Sequence, residues 1–150
     1  MKKRIFVMIA VCLALVMLLT ACGSKEAITE NTFSEKAQAY NMSTGSSDEI
    51  IRGVDVYVYA SHPDGWAIDF FKCKSVDAAE DLYDNNIEAF QAEGTVSSET
   101  NVNGDNYSRY EAEHDGEYIY CCCVEDTLVS TRTTSDHKDA VKEFVNMIGY

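Results

Sequence analysis

The longest uninterrupted apolar run in the chain is Ile5 to Leu19, fifteen residues. Past it, apolar positions recur with the two short periods of folded structure. Val76, Ala79, Leu82, Tyr83, Ile87 and Phe90 stripe one face of a helix. Ser75 or Asp77 stands ready to cap it, and Gly94 follows it. Ala140, Val141, Phe144, Val145 and Ile148 make a second stripe, opened by Asp136 and closed by Gly149. A shorter helix carries Phe33, Ala37 and Tyr40, with Thr32 and Glu35 at capping-box spacing. Alternation marks the strands. Val54, Val56 and Val58 oppose Asp55, Tyr57 and Tyr59, and after the Pro63-Asp64-Gly65 turn a strand resumes from Trp66 to Cys73. Residues 41–49 and 95–105 read as loops, the second with an Asn103-Gly104 turn pair.

Tyr107 to His114 and Glu117 to Val124 form a hairpin about Asp115-Gly116, and Thr127 to Thr133 follows as another strand. The order α-β-β-α-β-β-β-α predicts an α+β fold. It has a mainly antiparallel sheet of four to five strands, with about three helices packed on one face. A two-residue turn pairs His114 with Glu117, so Tyr110 faces Cys121 and Arg109 faces Cys122. Glu117, Ile119, Cys121 and Cys123 then share the more apolar face, expected toward the helices. Tyr118, Tyr120, Cys122 and Val124 share the other, expected toward solvent.

The N-terminal run is short for a membrane-spanning helix, which takes roughly 20 residues. Lys2, Lys3 and Arg4 precede it, and Leu19-Thr20-Ala21-Cys22 closes it. This is the layout of a secretory signal peptide ending in a bacterial lipobox. Residues 1–21 are expected to be removed by cleavage between Ala21 and Cys22. Cys22 then takes the covalent diacylglycerol and acyl (palmitate-type) lipid, the only non-protein group expected. One acyl chain anchors reversibly at ~0.8 kcal/mol per methylene, whereas two or three anchor stably. Residues 22–32 are then the lipidated cysteine and a flexible tether, the ten residues after Cys22 reaching about 18 Å. Residues 33–150 form a single domain of 118 residues, enough for one core.

The whole chain has 12 basic and 25 acidic residues, net −13. Loss of Lys2, Lys3 and Arg4 lowers the basic count to 9 and takes the mature net charge to −16. That balance excludes nucleic acid as a partner, which needs clustered Lys and Arg. Nothing matches an EF-hand loop, a P-loop, an HExxH helix or a Gly-x-Ser-x-Gly elbow, and His62, His114 and His137 form no pair at ligand spacing. No catalytic residue and no metal site is expected. Cys121-Cys122-Cys123 alternates in direction, so one ion cannot collect all three thiols, and a structural zinc site wants four ligands at other spacings. Cys73 could bridge to one of the triplet in an oxidising compartment. Reduced, buried thiols are the simpler expectation.

Nine tyrosines suggest a contact surface, with Tyr57, Tyr59, Tyr107, Tyr118 and Tyr120 as candidates for an outward sheet face; cross-strand packing is the competing explanation. The stretches AIDFFKCKSVDAAEDLYDNNIEAF, NYSRYEAEHDGEYIY and VEDTLV, with the closing Ile148-Gly149-Tyr150, resemble a family of small, uncharacterised lipoproteins of Gram-positive bacteria. The resemblance implies a lipid-anchored protein with one compact α+β domain on the outer face of the bacterial cytoplasmic membrane. It carries over no activity. The expectation is a non-enzymatic binding module, joined to the bilayer through Cys22 and contacting an envelope protein, peptide or glycan. The alternative is a thiol-dependent metal-binding or redox protein using Cys121 to Cys123. Oligomeric state is left open by the sequence.

Overall fold

A computed structural model describes residues 23–94 and 96–150. Its elements are α1 (Glu30–Ala39), β1 (Ser43–Ser46), β2 (Val54–Ser61), β3 (Ala67–Cys73), α2 (Val76–Gln91), β4 (Ser98–Asn103), β5 (Tyr107–His114), β6 (Glu117–Val124), β7 (Thr127–Thr134) and α3 (Lys138–Ile148), with a 3-10 turn at Ser135–His137. One seven-stranded, wholly antiparallel sheet has the order β1-β2-β3-β7-β6-β5-β4. The α+β class holds, but the sheet is wider than the four to five strands expected. The two edge strands escaped the pattern because neither needs an apolar face. β1 is STGS and β4 is SETNVN, almost wholly exposed.

The hairpin register is the expected one, from His114 opposite Glu117 to Tyr107 opposite Val124. Asp115 and Gly116 both take positive φ, at 47° and 82°, as the tight turn requires. Helix ends differ in detail. Thr29, not Thr32, caps α1, its Oγ1 accepting from the Thr32 N–H at 3.2 Å. Ser75 caps α2 by accepting from the Ala78 N–H at 3.2 Å. Asp136 lies in the 3-10 turn ahead of α3, whose far end closes on left-handed Gly149.

The helices do not share one face. α1 and α3 cover one side of the sheet, where Phe33, Val58, Phe70, Tyr118, Tyr120, Cys122, Val124, Val129 and Phe144 are buried together. α2 covers the other, over Phe71, Cys73, Tyr83, Phe90, Tyr110, Ile119, Cys121, Cys123 and Leu128. The interior strand β6, beside the central β7, is therefore buried on both faces, which explains why EYIYCCCV reads as a continuous apolar run rather than a clean alternation. Phe33 of α1 fastens the first layer, stacked on Phe70 at 5.2 Å and edge-on to Phe144 at 5.9 Å. Each such ring stabilises the fold by about 1.5–3 kcal/mol through burial.

Candidate functional site

On β6, Cys121 lies between Tyr110 and Ser130, Cys122 between Arg109 and Val129, and Cys123 between Ser108 and Leu128. The triplet is split as strand parity demands: Cys121 and Cys123 lie under α2 near Cys73, and Cys122 lies on the α1/α3 side. Cys122 does not face solvent, however. Tyr118, Tyr120, Cys122 and Val124 are as buried as their neighbours, because α1 and α3 roof the face expected to be open. All four described cysteines are free and buried, with no bridge from Cys73.

Burial sets their chemistry. It pushes the Cys73 thiol up and Cys121 well above its ordinary value, and it carries Cys122 to about 11 and Cys123 to about 12. Nucleophilic attack and metal ligation both need the thiolate, which such surroundings disfavour. Among the described residues, no three His, Cys, Asp or Glu side chains come together to hold a metal ion. The three thiols are packed into the cores on the two sides of the sheet.

The five candidate tyrosines are not one surface. Pairing carries a row of side chains across the sheet from Tyr57 through Phe71, Leu128 and Cys123 to Ser108. Tyr57 thus lies on the α2 face, opposite to Tyr118 and Tyr120. It stacks on Phe71 at 4.7 Å and donates to Asp69 Oδ1 at 3.0 Å. Tyr118 and Tyr120 are each 1% exposed, and the Tyr118 hydroxyl donates to Glu111 Oε2 at 3.1 Å. Tyr107 is half-buried beneath the Lys25 ammonium, 5.1 Å from its ring centre. Only Tyr59 is substantially open, at 40%. The aromatic content satisfies packing rather than a contact face.

What the sequence did not signal is the fastening of the segment before α1. The Lys25 N–H donates to Asn106 Oδ1 at 2.9 Å, and Asn106 Nδ2 donates back to the Lys25 carbonyl at 2.8 Å. Lys25 Nζ donates to the Gly149 carbonyl at 2.9 Å. Ala27 and Ile28 pack on the core, and the Ile28 N–H reaches the Tyr150 hydroxyl at 3.4 Å. Tyr150 is itself hydrogen-bonded to Thr127. The expected flexible tether of residues 23–32 is thus corrected: from Lys25 onward the chain is part of the fold. A polar residue pair 81 positions apart leaves no periodic trace, so pattern reading sees only a polar stretch. Beside this fastening lies a depression of about 560 Å³, with Ala27, Ile28, Lys72, Glu125 and Asp126 in its wall. Ala21 and Cys22, the expected cleavage and lipid-attachment positions, lie outside the described residues.

No protein-family model and no curated protein matches the chain. A solved structure of a GTP binding regulator from Thermotoga maritima superposes with a TM-score of 0.49 at 14% identity, covering 85% of this chain and 90% of that one. A likeness at that score carries no argument about what this chain does.

Proposed function

We infer that this protein is an extracytoplasmic lipoprotein, anchored by acyl lipid on Cys22 to the outer face of the bacterial cytoplasmic membrane. Its α+β domain serves as a non-catalytic binding module. The observation that carries the reading is Leu19-Thr20-Ala21-Cys22, set behind a basic triplet and a fifteen-residue apolar run. The mature charge of −16, reached when the 12 basic residues lose three against 25 acidic ones, favours cationic or hydrogen-bonding partners, such as a basic segment of an envelope protein or an amino-bearing glycan.

Radiolabelled palmitate in the producing bacterium tests the anchor. Wild-type protein is expected to take up label and to accumulate as a larger precursor when globomycin blocks lipoprotein signal peptidase. Cys22→Ala should take up none. Unlabelled wild-type protein released to the medium would overturn the reading.

A further inference from the structure

The anchor and the fastening together fix which end of the domain meets the bilayer. Lys25 is locked to Asn106 and Gly149, so only Gly23 and Ser24 separate a lipidated Cys22 from the folded body. Three peptide steps reach roughly 10 Å at full extension, about the depth of a headgroup layer. A domain on so short a leash cannot turn over to present its far side.

The surface at that end points the same way independently. β2 and β7 start there and β3 and β6 end there, as the antiparallel pairings require. α2 therefore begins and α3 finishes at this end. The exposed large apolar side chains of the described residues are Ile50 (98%), Val76 (46%), Met147 (36%) and Tyr59 (40%). Three of the four sit at the Lys25 end. Ile50 lies in the loop leading into β2, where the Ile51 carbonyl accepts from the first strand residue, Val54. Val76 is the first residue of α2, and Met147 lies in the last turn of α3. Charge does not add to this: Lys25, Arg52, Lys72 and Lys74 share the end with Glu49, Asp55, Asp77, Asp105, Glu125 and Asp126, Lys72 is paired with Asp126, and the Lys25 ammonium donates to the Gly149 carbonyl. Three exposed apolar tips gathered at the tethered end suit the interface of a bilayer, where they enter the boundary between headgroups and acyl chains.

We propose that the end of the domain bearing Lys25, Ile50, Val76 and Met147 is a membrane-contact surface seated on the leaflet that holds the Cys22 lipid. The opposite end, with the Pro63-Asp64-Gly65 and Asp115-Gly116 turns, projects outward to meet partners. This rests on the lipoprotein reading.

The test uses full mature lipidated protein in vesicles of phosphatidylglycerol and brominated phosphatidylcholine, with tryptophan quenching as the readout. Native Trp66 is buried and common to every sample. Ile50→Trp and Met147→Trp report the proposed contact end, and Asp136→Trp, in the exposed 3-10 turn beyond β7, reports the far end. Ile50→Trp and Met147→Trp should each be quenched at least twofold more strongly than Asp136→Trp. Equal or reversed quenching in protein that floats with the vesicles would overturn the orientation and leave the anchor standing. Protein that fails to float would overturn the anchor itself, and the orientation with it.

Discussion

Asp69 shows how one buried group governs a pH response. Its carboxyl, held in β3 and mostly buried, is raised above the ordinary 3.8 by desolvation, an effect only partly offset by the hydrogen bond from Tyr57. A carboxyl raised in the folded state lends stability that is full below its unfolded value and is lost as pH rises through the folded one. Near neutrality the charged form is therefore a burden. Asp69→Asn keeps an oxygen for Tyr57 and removes the charge, so melting at pH 7 should rise by a few degrees, with the gain closing below pH 4. An unchanged difference across that range would count against the desolvation argument. The thiols make a second case. At pH 8, Ellman's reagent should leave Cys73, Cys121, Cys122 and Cys123 unmodified for minutes in the folded domain and titrate all four in guanidinium. Fast labelling of even one would show that its burial is incomplete. The direction of each triplet cysteine was legible in the sequence, since a two-residue turn and strand parity determine it. The burial of Cys121 and Cys123 was legible with it; that of Cys122 was not, because Tyr118 and Tyr120 beside it look alike in sequence whether they face water or a roof of helices.

At the scale of elements, legibility followed apolar contrast. β5, β6 and β7, and the stripes of α2 and α3, were readable because each carries enough buried residues to set a period. β1 and β4 were not, because an edge strand holds its place by one ladder of backbone hydrogen bonds with little side-chain burial. The segment before α1 was misread as tether for the same reason: it is fixed by hydrogen bonds to Asn106 and Gly149. Asn106→Ala removes two of those bonds, at about 0.5–1.5 kcal/mol each. Hydrogen exchange at residues 25–29 should then speed up while β6 stays protected. Uniform acceleration would instead mean that Asn106 supports the whole fold. Phe33→Ala tests the first layer, since its ring joins α1 to β3 and α3. The loss should be about 3–5 kcal/mol by urea unfolding. A cost below 1 kcal/mol would show that α1 is not part of the cooperative unit.

For the molecule as a whole, the buried tyrosines and thiols set an alkaline limit. Tyr83, Tyr118, Tyr120 and the four cysteines are all raised chiefly by burial, from ordinary values of 10.0 and 9.0. Groups raised in the fold lend stability in full below their unfolded values and lose it as pH climbs toward the folded ones. The melting temperature should hold level to about pH 9 and then fall steeply through pH 11; a flat profile to pH 11 would contradict the burial of these groups. The sheet order has a consequence for how the chain is made. β7 sits at the centre, joining the β1-β2-β3 meander to the β6-β5-β4 one, yet it is the last strand synthesised. Until it emerges, β3 and β6 each lack a neighbour, and neither half can bury both faces. Such non-local closure is slow, so a chain leaving the ribosome carries two open half-sheets, each with a bare inner edge, until β7 arrives to join them.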